Sequence, residues 1–308
     1  MKVAYLTHPS FLRHDMGEGH PECARRLAAV GDRLLATGLL DLMESVEAPA
    51  ATPTQILRAH AARHYAELQA MAPTQGLVAV DPDTAMNPHT FTAALHAAGA
   101  AVRATELVVS GSHRRAFCAV RPPGHHATQA QAMGFCFFNN VAVGIRHALD
   151  ELGLTRVALV DFDVHHGNGS EDILADDERV LMVSTFQRRL YPFNGDIPRA
   201  ANMRNIGLVP YSGGEAMRRA VDEHWLPALQ AFAPQMLFVS AGFDAHRDDD
   251  ISQLGWTDAD YAWLSRRLVD LAEACAQGRM VSILEGGYDL PSLARCVDLH
   301  VRALLGID

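Results

Sequence analysis

The chain of 308 residues is long enough for one large α/β domain or two small ones. Its hydrophobic content of 49% is that of a globular protein with a sizeable core, and no run approaches the roughly 18 apolar residues of a membrane span. The net charge of −10, from 26 basic and 36 acidic residues, argues against non-specific binding of nucleic acid, which requires a basic face.

Hydrophobic periodicity predicts alternating strands and helices along the whole chain. In chain order these are strand 3–6, helix 22–37, helix 89–109, strand 116–120, helix 139–152, strand 157–160, strand 180–183, helix 214–232, strand 236–239, helix 258–275, strand 280–284 and helix 290–305. This alternation predicts a single α/β domain spanning 1–308, in which helices cover both faces of a central, mostly parallel sheet.

The cysteines and the first residues bear on the compartment. Five cysteines are scattered without a CxxC pair, so neither a disulfide framework nor a thiolate zinc site is expected. Residues 1–8 lack the charged and apolar regions of a signal peptide. We therefore expect a cytoplasmic protein.

Polar, glycine-rich segments follow five of the predicted strands. They are residues 121–126, 161–169, 184–185, 240–244 and 285–288. Because the carboxyl ends of parallel strands meet at one edge of a sheet, we expect these segments to converge there, where α/β proteins bind ligands.

Three of these polar residues, Asp163, His165 and Asp244, are candidate metal ligands. Alternate residues of an extended chain point the same way, so Asp161, Asp163 and His165 can share one side. Carboxylate and imidazole together suit a divalent metal of the zinc type. Three ligands would leave a position open for water, whose pKa falls towards about 7 on such a metal.

The adjacent histidines His125 and His126 are candidates for acid and base catalysis, because imidazole titrates close to neutral pH. Each needs a partner on its far nitrogen, and Asp161 and Asn168 are the candidates. Tyr288 follows two glycines, and its phenol could donate to a carbonyl oxygen and stabilise an oxyanion.

Taken together, these motifs resemble the histone deacetylase superfamily, which has the arginase–deacetylase fold. The resemblance covers nearly the whole chain, in the family's order, through 20–22, 121–127, 134–140, 161–169, 240–244 and 284–288. Asn139, Asn140 and Asn168 are similar to the class II branch, which includes bacterial deacetylase-like amidohydrolases. The resemblance implies a zinc-dependent amidohydrolase that removes acetyl or similar short acyl groups from lysine side chains or related amines.

The resemblance also implies a role for each matched residue. One Zn²⁺ per chain would be bound by Asp163, His165 and Asp244. A structural K⁺ would be held, largely through main-chain oxygens, by Asp161, Asp163, His165, Ser184 and Thr185. His125 and His126 would be the general base and its partner, with Asp161 and Asn168 behind them, while Tyr288 would polarise the scissile carbonyl.

For the substrate, the resemblance implies a narrow tunnel that grips an acetyl-lysine-like chain. Phe135 would form one wall, and the substrate-binding residues would be Asp83, Gly134, Phe135, Ile251 and Gly287. Arg26 resembles the residue near the acetate exit.

The sequence departs from the family's pattern near the tunnel. Phe186 stands where the family usually has His, and the segment after it leaves open whether Leu190 or Tyr191 forms the second wall. Acetylpolyamine-preferring relatives carry a Glu where this chain has Ile251, which disfavours polyamine selection, although Asp248 and Asp249 lie close by.

Other functions are weighed against this one. An acetylpolyamine amidohydrolase is the main alternative. A binuclear manganese ureohydrolase shares the fold, and Asp244-Ala-His246-Arg-Asp248 is similar to its signature, but that motif comes too late in the chain. An inactive reader of acylated ligands is disfavoured, since all expected catalytic residues are present. The sequence predicts an acylated amine as partner, no nucleic acid and no membrane, and leaves the oligomeric state open.

Overall fold

The computed structural model of the protein describes residues 2–307, so both ends of the predicted 1–308 domain lie outside it. The strands are β1 (Val3–Thr7), β2 (Glu44–Glu47), β3 (Val78–Ala79), β4 (Ala85–Met86), β5 (Arg115–Cys118), β6 (Val157–Asp161), β7 (Val180–Gln187), β8 (Met203–Leu208), β9 (Leu237–Ala241) and β10 (Met280–Leu284). Eight of them form one sheet in the order β2-β1-β5-β10-β9-β6-β7-β8, and every neighbouring pair is parallel. Strands β3 and β4 form a separate antiparallel pair.

Ten α-helices accompany the strands. They are α1 (Arg25–Ala36), α2 (Pro53–Ile56), α3 (Ala62–Met71), α4 (Thr90–Val109), α5 (Asn140–Asp150), α6 (Asn168–Leu174), α7 (Gly214–Ala220), α8 (Leu226–Phe232), α9 (Asp258–Cys275) and α10 (Leu290–Leu305) among the described residues. One π-helical turn, Val221–Trp225, joins α7 to α8 without a break. No helix within residues 2–307 is long and apolar enough to cross a membrane.

The apolar runs of the central strands explain their place in the sheet. All residues of β5, β6, β9 and β10 are buried, as expected for parallel strands covered on both faces. Helix α4 packs against α5, while α10 packs against α1 and α9, so two groups of helices enclose the sheet. The predicted α/β class, with a parallel sheet between helices, is confirmed.

The predicted and observed elements differ in places. The bounds of α9, α10 and β10 agree with the prediction, whereas β7 continues past 183 and includes Ser184 and Thr185. The strand is longer because β8, which the sequence analysis missed, pairs with it from Met182 to Gln187. Polar residues inside this strand ended the apolar pattern before the strand itself ended.

Candidate active site

The polar segments that follow β5, β6, β9 and β10 meet at the carboxyl edge of the sheet, around one cavity. The cavity has a volume of about 200 Å³. Its lining residues are Asp83, Pro123, His125, His126, Gly134, Phe135, His165, Leu190, Tyr191, Ile251, Gly286 and Tyr288. Imidazoles and two phenols line it together with apolar side chains, a mixture typical of a site that holds a ligand and acts on it.

Asp163, His165 and Asp244 lie beside this cavity, and all three are buried. One potential ligand atom from each lies within 4.8 Å of the others. His165 Nδ1 is 2.9 Å from Asp163 Oδ1 and 3.2 Å from Asp244 Oδ2. Asp244 Oδ2 is buried without a hydrogen-bond partner. Two buried carboxylates that converge on one imidazole nitrogen, with one oxygen unpaired, fit a divalent cation.

Two glycines allow the carboxylates to come this close to the main chain. A Cβ atom at Gly286 would overlap Asp244 Oδ2, and one at Gly242 would overlap Asp163 Oδ2. Gly286 N instead donates a hydrogen bond of 2.8 Å to Asp163 Oδ2, and Val164 N donates one of 3.0 Å to Asp244 Oδ1. The second oxygen of each carboxylate is thereby fixed by the backbone.

The two adjacent histidines have different partners. His125 Nδ1 donates to Asp161 Oδ2 over 3.1 Å, whereas His126 Nδ1 donates to Asn168 Oδ1 over 2.7 Å. Their ring centroids lie 4.1 Å apart, and both residues are buried. The structure therefore brings together all four residues that the sequence analysis grouped, with a carboxylate behind one imidazole and a neutral amide behind the other.

This difference separates the two pKa values. Burial opposes protonation of His125, but the carboxylates of Asp163 and Asp161 outweigh it and raise the pKa of His125 to about 10. Burial lowers the pKa of His126 well below its ordinary value, and the charge on His125 acts in the same direction. One imidazole thus favours the charged form and its neighbour the neutral form.

Tyr288 lies across the cavity, between a cation and an aromatic ring. The Arg26 guanidinium carbon lies 4.9 Å from the centre of the Tyr288 ring, and the Phe135 ring is 5.9 Å away, edge to face. Asp249 Oδ2 accepts hydrogen bonds from the backbone N–H groups of Tyr288 and Asp289, at 2.6 and 3.1 Å. These contacts fix the ring and the main chain of Tyr288 separately.

The predicted substrate residues divide into two groups. Asp83, Gly134, Phe135 and Ile251 line the cavity, whereas Gly287 is absent from the described lining and its neighbour Gly286 is present. The carbonyl of Gly287 points instead to Arg26 Nε, at 2.6 Å, because Arg26 lies beneath this turn. Phe135 has φ of +68°, a conformation rare for a bulky residue, and its N–H donates to Thr84 Oγ1 over 2.9 Å.

The segment after β7 contributes two residues to the cavity. The sequence analysis left open which of them forms the second wall. Leu190 and Tyr191 line the cavity, and Tyr191 packs edge to face against His126, with centroids 5.1 Å apart. Phe186, which stands where the family usually has His, is buried and packs against His166, with ring centroids 5.1 Å apart.

The sequence analysis did not predict the roles of two buried acids near the site, Glu285 and Asp249. Glu285 accepts hydrogen bonds from the N–H groups of Gly124 and His125, at 2.7 and 3.1 Å, and burial raises its pKa to about 7. Asp249, considered above only as part of an acidic pair, is turned inward. Neither role had a sequence signal, because both acids bind main-chain groups that are distant in sequence.

A second group that could hold a metal consists of His246, Asp258 and Cys296. His246 Nε2 donates to Asp258 Oδ1 over 3.0 Å, and Arg295 Nε donates to Asp258 Oδ2 over 2.7 Å. Burial raises the pKa of Cys296, which opposes the thiolate form. The polar atoms of His246, Asp258 and Arg295 are therefore hydrogen-bonded to one another. His246 and Asp244 belong to two different clusters, so the segment that resembles a ureohydrolase signature does not form one shared metal site.

The chain is similar to known proteins along most of its length. The family model described as "Histone deacetylase domain" matches residues 20–304. A "Probable deacetylase" of Archaeoglobus fulgidus is 35% identical over all of this chain and 88% of its own. The "Histone deacetylase-like amidohydrolase" of Pseudomonas aeruginosa is 34% identical over 93% of this chain and 76% of its own.

Among solved structures, the HD domain of HDA15 superposes with a TM-score of 0.93 at 30% identity, covering 99% of this chain and 90% of the other. This likeness confirms the arginase–deacetylase fold, and the relatives support a deacetylase or amidohydrolase activity. The family model matches residues 20–304, and the two relatives are 35% and 34% identical to this chain over most of both sequences. This protein therefore belongs to the histone deacetylase family.

Proposed function

We propose that the protein is a zinc-dependent amidohydrolase that removes acetyl or similar short acyl groups from lysine side chains or related amines. The observation that carries this proposal is the meeting of the His125–His126 pair, the Asp163–His165–Asp244 cluster and Tyr288 around one cavity. Metal-dependent hydrolysis of an amide uses a general base, a cation site and a hydrogen-bond donor to the oxyanion, and these three groups offer all of them.

The proposed zinc ligands are Asp163, His165 and Asp244, one ion per chain. When bound, zinc supplies Lewis-acid chemistry, which lowers the pKa of water and polarises an amide carbonyl. The residues around the cluster would transfer protons and bind the substrate.

We assign the general base to His126 and the charged partner to His125. The neutral amide of Asn168 holds His126 in the tautomer with its second nitrogen free to accept a proton, whereas Asp161 favours the imidazolium form of His125. Proton transfer from water to His126 would accompany attack on the carbonyl. The leaving amine would then take a proton from the histidine pair, and Tyr288 would donate to the oxyanion.

A structural K⁺ is also proposed, held by Asp161, Asp163, His165, Ser184 and Thr185. Two observations support it. The register of β6 and β7 places Asp161 beside Ser184, and Thr185 Oγ1 is buried without a hydrogen-bond partner. A cation bound by main-chain oxygens would offset the buried carboxylate charge of this region.

The shape of the cavity supports a linear substrate. Phe135 and Tyr191 are proposed as its two aromatic walls, with Leu190 and Ile251 adding apolar surface that suits the methylene chain of an acyl-lysine. Asp83 is the acid in the lining, and its carboxylate would accept a hydrogen bond from an N–H group of the substrate. Ile251 is apolar, and the Asp249 carboxylate already accepts hydrogen bonds from the N–H groups of Tyr288 and Asp289. We therefore favour acyl-lysine over acylpolyamine.

The proposal is tested by measuring kcat/KM of the zinc-loaded protein on an acetyl-lysine peptide and on acetylputrescine. We expect the peptide to be preferred by about tenfold or more, since one extra buried contact contributes about that much. The reverse preference would favour the acetylpolyamine alternative. Absence of turnover on either substrate, and on other short acyl amines, would refute the hydrolase function.

The zinc content of two variants distinguishes the two candidate metal clusters. Asp244→Asn should lose most of the zinc, whereas Cys296→Ser should retain one ion per chain, because Cys296 belongs to the group already neutralised by Arg295. Equal loss in both variants, or loss only in Cys296→Ser, would show that the ligand set proposed here is wrong.

A further inference from the structure

The connection between β7 and β8, residues 188–202, carries one side of the cavity. It supplies Leu190 and Tyr191 to the lining, and Tyr191 packs edge to face against His126. The position of this connection therefore determines how wide the cavity is beside that imidazole.

The connection has few apolar contacts of its own. Between 191 and 199 the only buried residue is Gly195, while Phe193 is 78% and Ile197 86% exposed. The Arg188–Asp196 ion pair lies at the surface, where such pairs contribute little. Leu190 and Ala200 pack against the core near the two ends of the connection. Between them, polar contacts must hold the segment in place.

Gly195 rests directly on a buried imidazole. A Cβ atom there would lie 2.6 Å from His166 Cγ, and the residue has φ of +99°, which favours glycine. Contact between backbone and ring at this point therefore requires glycine.

Beneath this contact lies the buried carboxylate of Glu171. Its Oε2 accepts a hydrogen bond of 2.8 Å from His166 Nε2, and its Oε1 accepts one of 2.9 Å from Arg199 N. Oε1 also accepts from Asn205 Nδ2 over 3.0 Å, and the same nitrogen donates to the carbonyl of Gly195 over 3.1 Å. One carboxylate thus joins the loop after β6, the strand β8 and the connection at Arg199, and through Asn205 it also reaches Gly195.

The chemistry of this anchor requires an ionised acid. Burial opposes ionisation of Glu171, but the hydrogen bonds from His166 and from Arg199 N outweigh it and hold the pKa of Glu171 below its ordinary value. An ionised carboxylate accepts at every lone pair, so it can satisfy all three donors at once.

We propose that Glu171 is a positioning residue: it fixes the 188–202 connection, and through it Tyr191, and so determines how tightly the cavity holds its substrate. Glu171 is not part of the described cavity lining, so its effect would be transmitted through the connection. The inference rests on the function proposed above for that cavity.

Two variants disturb the anchor in different ways. Glu171→Gln keeps the size of the side chain, but its amide NH₂ would face His166 Nε2, whose proton would then have to move to Nδ1, a buried atom without a partner. Gly195→Ala leaves the carboxylate intact and pushes the connection away from His166. Asp196→Asn is the matched control, because it removes only the exposed ion pair on the same segment.

The readouts are KM and kcat on an acetyl-lysine peptide, zinc content, and the rate of tryptic cleavage after the exposed Arg188 and Arg189. For Glu171→Gln we expect KM and the cleavage rate each to rise about tenfold, the effect of one charge-assisted hydrogen bond. For Gly195→Ala we expect both to rise by about as much, because the added methyl group displaces the connection from His166. In both variants the zinc content should be unchanged and kcat should stay within about threefold. Asp196→Asn should match the wild type in all four.

Unchanged KM and unchanged cleavage in both anchor variants would overturn the inference, as would an equal effect in Asp196→Asn. A wild type without any acylamine turnover would refute the proposed function instead. In that case faster cleavage of the anchor variants would still support the positioning role, and unchanged cleavage would refute it.

Discussion

Tyr288 is constrained through its ring and through its backbone by different neighbours, so its hydroxyl can be removed without releasing the residue. In Tyr288→Phe the ring keeps its contacts with Arg26 and Phe135, and the N–H keeps its bond to Asp249. Loss of an oxyanion donor should lower kcat by about 10²–10³. Steady-state kinetics measures this loss, and metal analysis should find the same zinc content as in the wild type. A kcat within a few-fold of the wild type would show that the phenol does not assist the reaction.

For single residues, the sequence predicted those site residues that are regularly spaced along the chain. Asp161, Asp163 and His165 alternate along one short segment, and their chemistry could be inferred from that alternation. Glu285 and Asp249 could not be inferred, because each binds the backbone of a different loop, Glu285 that of Gly124 and Asp249 that of Tyr288. Such contacts depend on the order of the strands in the sheet.

At the scale of elements, the junction between β10 and α10 depends on a loop that follows another strand. Asp249, in the loop after β9, accepts hydrogen bonds from the N–H groups of Tyr288 and Asp289, the two residues immediately before α10. Asp249→Ala should therefore displace Tyr288 and lower kcat by about tenfold to a hundredfold, the cost of a misplacement near 1 Å. The exposed neighbour in Asp250→Ala serves as the control. Kinetics at constant zinc loading measure both; equal values for Asp249→Ala and Asp250→Ala would contradict the positioning.

Elements with a strong hydrophobic period were predictable, and those without one were not. The bounds of α9 and α10 follow from buried faces that repeat through each helix. The two edge strands β2 and β8 are partly exposed, with the sequences ESVE and MRNIGL, so neither has a continuous apolar run. Pairing with one neighbour alone stabilises them, and that pairing is a property of the sheet rather than of the segment.

In the molecule as a whole, burial sets the charge of groups that lie far from the cavity. The histidines whose pKa values burial lowers include His14, His60, His64, His147 and His300. Each is neutral in the folded protein at pH values where it is charged in the unfolded chain. Folding therefore excludes protons at these sites, and stability falls as the solution is acidified.

His300 offers the clearest test of this effect. It lies in the core, hydrogen-bonded to the hydroxyls of Ser265 and Ser282, both at 2.8 Å, and burial lowers its pKa from 6.5 to about 4. The unfolded chain thus binds more protons between pH 6.5 and 4. The neutral imidazole contributes its full stability above pH 6.5, and this contribution, roughly 3 kcal/mol, is lost as the pH falls towards 4.

In His300→Gln the decline of Tm between pH 6.5 and 4 should therefore be shallower than in the wild type, although Tm at pH 7 is lower because the packing of the ring is lost. Thermal melts across this range measure the decline of Tm, and the control is His224→Gln, in which an exposed histidine is replaced.

Glu285, whose pKa burial raises to about 7, acts in the opposite direction, since its protonated form stabilises the fold as the pH falls below 7. Glu285 is present in all three proteins, so the difference between their slopes isolates His300. Parallel slopes for His300→Gln and the wild type would mean that this imidazole does not titrate on unfolding, and that the loss of stability in acid must come from the other buried groups.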